Sequence, residues 1–199
     1  MLRRSLIWVL LSAALAIPIT AAAYSPYLAW RDPIYILAGF AGIIGMCLLL
    51  LQPLLAGRWL PGLSPVSSRH WHRRCGLALI VAILIHVGGL WITSPPDVVD
   101  ALLFVSATPF SNWGVIAMWS AVAAVLLGVM RQRLNLRFRL WRLSHTGLAM
   151  VTIIGSVVHA MLIEGTMEVM TKTTLCVLVL LASTRTLAKL KVWDIRRRA

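Results

Sequence analysis

Acidic residues are scarce in this chain: six Asp and Glu stand against 19 Lys and Arg, a formal charge of +13 over 199 residues. Cysteine is scarcer still. Cys47, Cys75 and Cys176 lie in or at the edge of apolar stretches and form no CxxC, which argues against a disulfide framework or a zinc site. Buried structural thiols are the default reading. No CxxCH occurs either, which excludes covalent attachment of a c-type prosthetic group. Polar sequence as a whole is thin, with 13% charged residues against 60% apolar ones and a mean hydropathy of +0.86. Such a chain is too hydrophobic for a soluble domain and belongs to the membrane class.

Six stretches approach the roughly 20 apolar residues that a spanning helix needs. They fall at about 5–23, 34–55, 72–92, 112–130, 145–163 and 173–190, which predicts a single all-α six-helix membrane bundle over residues 1–199. The first could be a signal peptide, since Arg3 and Arg4 precede it and Ala21-Ala22-Ala23 resembles a cleavage site. Its apolar part, Leu6 to Ala23, is longer than a usual signal core and contains Pro18, so a retained helix is favoured. Segment two carries Gly39, Gly42 and Gly45, small residues that allow a neighbour to come close. Pro53 and Gly57 are expected to end it, and Ser67 or Ser68 to cap the next helix.

The remaining loops decide the topology. Residues 93–111 hold Pro95, Pro96, Pro109 and two aspartates, while residues 131–144 hold five arginines. Within the latter, Leu134, Leu136, Phe138 and Leu140 alternate with polar residues, a strand-like period read as an interfacial segment or a docking surface. Every basic residue except Arg31 and Lys172 falls on the side shared by the two termini, loop 56–72 and loop 131–144. Among the acids only Asp194 is on that side. The positive-inside rule then places both termini in the cytoplasm. Topology accounts for the charge, and nucleic-acid binding loses its motivation.

Against that frame, one spacing stands out: His72 to His86 in segment three, and His145 to His159 in segment five, are both 14 residues apart. On a helix this is roughly 21 Å of rise and about 40° short of four turns, so both histidines of a segment face nearly the same side. Segments three and five run the same way, which pairs inner with inner and outer with outer. A lone intramembrane histidine is as readily an interhelical hydrogen-bonding group as a ligand; four in register favour a ligand role. Imidazole alone does not name the metal. Zinc or a transported cation usually needs further ligands at the same depth, and segments three and five offer no carboxylate there. A haem iron needs only two axial imidazoles. Each imidazole is expected to give its other N–H to a carbonyl or hydroxyl, with Ser144, Thr152 and Ser156 as candidates. Arg73, Arg74 and Arg142 are placed to neutralise haem propionates, and equally to act as positive-inside anchors. Gly76 and Gly155 could admit a porphyrin or another helix. His70 is expected in the loop before segment three.

The stretches His72-Arg73-Arg74-Cys75-Gly76 with His86, and Trp141-Arg142-Leu143-Ser144-His145 with His159, resemble the ferric-reductase-like transmembrane domain. That family includes ferric reductases, NADPH oxidases and the haem subunit of bacterial methionine sulfoxide reductase systems. The resemblance covers essentially the whole chain. It implies two stacked b-type haems ligated by the four histidines, carrying electrons across the inner membrane. No G-x-G-x-x-G unit follows the sixth segment, so the reductant is expected from a separate partner, a flavoprotein or quinol, and the acceptor on the far side. A single-haem subunit of a methionine sulfoxide reductase system, and a divalent-metal transporter, are the rival expectations.

Overall fold

Two of the helices begin where the sequence supplies both a side-chain cap and a proline. In the computed structural model, which describes residues 2–191, seven α-helices are present: α1 (Leu2–Ala23), α2 (Pro33–Ala56), α3 (Pro65–Thr93), α4 (Pro95–Leu102), α5 (Pro109–Val129), α6 (Phe138–Leu162) and α7 (Val169–Leu190). α2 starts at Pro33 behind Asp32, whose carboxylate accepts from the Ile34 N–H at 2.7 Å. α3 starts at Pro65 behind Ser64, whose hydroxyl accepts from the Ser67 N–H at 3.1 Å. Proline suits the first helical turn because its missing N–H has no intrahelical partner there. All the helices except the eight-residue α4 are long and apolar enough to cross a bilayer, giving six candidate spans and a multi-pass membrane protein. Among the described residues there is no β-strand.

Several boundaries differ from the sequence reading. α3 begins seven residues before the expected 72, so Ser64 is the cap and His70 is helical and exposed. Polar residues in its first two turns carry no apolar period, yet the cap starts the helix there. Pro53 lies inside α2, which continues to Ala56 before Gly57 caps it. The Pro53 carbonyl accepts from the Gly57 N–H at 2.8 Å and from the Thr186 hydroxyl of α7 at 2.9 Å, which ties this end of α2 to α7. The loop after α3 contains α4. The strand-like alternation at 134–140 is no strand: turns run to Asn135, whose φ is +45°, and α6 starts at Phe138. The expected cytoplasmic tail lies partly outside the described residues.

Two helical hairpins make up the centre. α2 with α3 and α5 with α6 are the most extensively packed pairs, while α7 packs on α2 and α6, and α1 on α2 and α7. Lipid tails are as apolar as leucine, so helices in a bilayer associate by close packing, which small residues permit. Gly89 lies against α2, where a Cβ would be 2.8 Å from that of Ala38. Gly155 lies against α5, where a Cβ would be 3.0 Å from both the Trp113 carbonyl and the Ala117 Cβ. Gly155 therefore admits a helix. The apolar core joins Leu49 and Leu50 of α2, Leu79 of α3, Ile153 of α6, and Leu175 and Val179 of α7. Leu79 and Ile153 fall midway between the histidines of their helices, so this packing separates two levels.

Candidate functional site

α3 and α6 each belong to a hairpin and have no comparable backbone packing on one another. What spans the space between them is histidine. The His72 and His145 ring centroids are 6.3 Å apart with planes at 70°, and the His86 and His159 centroids are 6.3 Å apart with planes at 85°. The pairing is the one the spacing predicts, and it shows that α3 and α6 run parallel.

Each ring is anchored to its own hairpin partner. His72 Nδ1 lies 3.3 Å from the Gln52 carbonyl and His86 Nδ1 lies 2.7 Å from the Ala38 carbonyl, both on α2. His145 Nδ1 lies 3.1 Å from the Ala124 carbonyl and His159 Nδ1 lies 2.7 Å from the Phe110 carbonyl, both on α5. A carbonyl only accepts, so Nδ1 carries the hydrogen and Nε2 keeps its lone pair at all four rings. The second partner is therefore a backbone carbonyl in every case. Thr152, one of the hydroxyls considered, instead donates to Leu148 of its own helix.

The acceptors lie within α2 and α5, where each carbonyl is already used by the N–H four residues on. A second lone pair is available, but the side chain four residues on stands in the way. At these positions the chain has Gly42, Ala56, Gly114 and Gly128. A Cβ on Gly42 would lie 3.1 Å from His86 Nδ1, and one on Gly114 would lie 2.7 Å from His159 Nδ1. Glycine here is what lets imidazole reach the carbonyl. The pattern repeats: acceptors 38 and 52 match 110 and 124, with small residues at 42 and 56 matching 114 and 128, all 14 apart. This signal lies in the sequence, where Gly39, Gly42 and Gly45 point first to close helix packing and second to a flat surface for a planar cofactor.

The geometry has a chemical meaning. A metal ion bound by both Nε2 atoms at about 2.0–2.1 Å, with roughly 1.1 Å more to each ring centre, puts the centroids about 6.3 Å apart. Direct edge-to-face contact of two rings also falls within the usual range of such pairs. The separation is the same at both levels, and Nε2 keeps its lone pair at all four rings. Among the described residues no group of three or more His, Cys, Asp or Glu side chains could hold a metal, so any ion would draw its remaining ligands from elsewhere. A porphyrin supplies four.

The arginines take separate places. Arg142 donates to the Leu190 carbonyl at the end of α7. Arg73 and Arg74 are exposed, and the Arg74 guanidinium lies 5.5 Å from the Trp71 ring centre. Lys172, expected at the opposite end, is buried and donates to the Ile163 carbonyl at 2.7 Å, closing the α6–α7 turn.

These features define a helical membrane protein with two stacked histidine pairs on parallel helices. The family model described as ferric reductase like transmembrane component matches residues 38–156, more than half of the chain, and the protein belongs to that family. The matched region contains His72, His86 and His145 and all four carbonyl acceptors; His159 lies three residues beyond it. Membrane electron transfer is the activity that membership points to. Neither the curated proteins nor the solved structures give a match.

Proposed function

We propose that the protein carries electrons across the cytoplasmic membrane on two b-type haems, an inner one held by His72 and His145 and an outer one held by His86 and His159. The observation that carries this reading is the 6.3 Å separation repeated at two levels, with every Nδ1 committed to a carbonyl. A b-type haem would supply a one-electron iron couple, and with both imidazoles of a pair holding the iron no position would be left for oxygen, which favours outer-sphere electron transfer. The chain supplies the rest. The Nδ1–H bonds fix each tautomer and raise the basicity of the ligating nitrogen. Leu79, Ile153 and the core around them keep water out between the levels. Arg73 and Arg74 at the exposed inner end are the candidates for propionate partners; Arg142 would have to share its guanidinium with Leu190.

The excess of basic residues on one side supports an inner level at the cytoplasmic face with both termini inside. A separate flavoprotein or quinol is the donor, and the acceptor is extracytoplasmic: a ferric chelate, oxygen or a redox protein. The equal 6.3 Å ring separation at the two levels favours two haems over the one of a methionine sulfoxide reductase subunit, and a divalent-metal path would need a group of three or more ligands, which is not found among the described residues.

The test is a reduced-minus-oxidised absorbance spectrum of the purified full chain with a haem-to-protein ratio. The expected result is b-type bands and a ratio near two, on the order of one haem per histidine pair. Absence of the bands overturns the reading, and a ratio near one selects the single-haem alternative.

A further inference from the structure

The inner histidines are held by longer Nδ1 bonds, 3.3 and 3.1 Å, than the outer ones at 2.7 Å each. His145 has a second restraint. Trp141, one turn earlier on α6, stacks on its ring with centroids 5.6 Å apart and planes 12° apart. The indole is fixed in turn: its Nε1–H donates to the Leu127 carbonyl of α5 at 3.2 Å, and the Arg131 guanidinium lies 4.6 Å from its ring centre. His145 and Trp141 thus bond to Ala124 and Leu127, neighbouring turns of one α5 backbone. The matching position four residues before His72 is Ser68, a buried residue that cannot stack. At the outer level Phe110 meets the His159 ring edge-on, at 68°, and gives no parallel surface.

We propose that Trp141 is a positioning residue for the inner centre, holding the His145 ring plane at its angle to His72. This rests on the reading that the two histidines are axial ligands. In a low-spin ferric centre the angle between two axial imidazole planes sets the splitting of the iron d orbitals, so turning one ring moves the g values. The parallel indole face opposes that turn, because rotating the imidazole breaks the stack and strains the Ala124 bond together. Trp141→Phe keeps an aromatic face and loses the N–H anchor to Leu127; Trp141→Ala loses both. Trp91, exposed at the far end of α3, is a control remote from His145.

The experiment is electron paramagnetic resonance of the oxidised full chain in detergent, with haem content measured on the same samples. The wild type is expected to show two low-spin signals, one of which disappears in His145→Ala. That same signal should shift or broaden in Trp141→Ala, and less so in Trp141→Phe, with the outer signal and haem content unchanged. Trp91→Ala should leave both signals in place. The proposal is overturned if Trp141→Ala keeps both haems and moves neither signal, or moves both alike. If Trp141→Ala loses the inner haem, Trp141→Phe decides: an unmoved inner signal overturns the proposal. A wild type with no haem and no low-spin signal overturns the functional reading itself, and the haem assay distinguishes that failure.

Discussion

At the outer level both imidazoles reach their carbonyls at 2.7 Å and lie where a side chain on Gly42 or Gly114 would touch them. At the inner level the bonds lengthen to 3.3 and 3.1 Å, the small residues are Ala56 and Gly128, and a Cβ on Gly128 would meet nothing within 4 Å. One hairpin pattern thus serves two degrees of grip. Outer rings are clamped between a glycine and a short hydrogen bond, and the inner His145 relies on a stacked indole. A clamp against backbone tolerates no added atom, whereas a side-chain stack can be exchanged.

The largest effects come from the ligands. His86→Ala or His159→Ala should leave about one haem per chain in place of two, with only the inner spectral signal surviving. His72→Ala or His145→Ala should leave the opposite signal. Loss of the same signal in all four variants, or of neither, would break the assignment of two levels.

Glycine substitutions come next and separate the levels by mechanism. Gly114→Ala should destabilise the protein by about 1–3 kcal/mol, the usual cost of forcing an atom into a packed site. It should also weaken retention of the outer haem alone, with Gly42→Ala milder because its contact is 3.1 Å instead of 2.7 Å. Gly128→Ala should be neutral or stabilising by up to about 1 kcal/mol, since alanine is the better helix former where there is room. Thermal unfolding in detergent, followed through haem absorbance, checks all three. A Gly128→Ala variant as damaged as Gly114→Ala would show that the inner level is clamped as tightly as the outer.

Thr186→Val is smaller and lies off the histidine faces. Its hydroxyl donates to the Pro53 carbonyl and accepts from Trp59 Nε1, both at 2.9 Å, holding α7 to the end of α2. The variant should lose about 1–2 kcal/mol in the same unfolding assay with both haem signals intact. A shift in the inner signal would extend the inner network to α7.

The smallest effect is one of pH at the opposite end. The N–H groups of Met170 and Thr171 donate to the Glu168 carboxylate and hold its pKa below the ordinary 4.5. A group depressed on folding stabilises above its unfolded pKa and loses that contribution as pH falls through the folded value. The melting temperature should therefore decline slightly below about pH 4.5, and Glu168→Gln should remove that part of the decline. An unchanged profile in the glutamine variant would show that the α7 cap makes no titratable contribution.

Much of this site was legible because a helix has a fixed period. Fourteen residues return a side chain to nearly the same face, and alternating spans make the third and fifth parallel, so His72, His145, His86 and His159 could be paired from spacing alone. The cap at Ser64 was missed because residues 67–70 are polar and the stretch 65–71 shows no apolar period. The α6 start was obscured by an alternation at 134–140 too short to distinguish a strand from a turn and the first residues of a helix. The partners of Nδ1 were missed because every residue has a carbonyl, and composition does not say which one a neighbour will reach. Gly42 and Gly114 were the available clue, for at those two positions a side chain would meet the imidazole that reaches the carbonyl four residues earlier.

Six candidate spans and the order of the histidines along them follow from the chain alone, because hydropathy and helical period act along one chain. It took the folded molecule to show that α3 leans on α2 and α6 on α5, that the rings stand 6.3 Å apart, and that Trp141 stands nearly parallel to His145 with ring centres 5.6 Å apart. Those facts depend on which small residues let two backbones approach, a property of pairs of helices that no single segment contains.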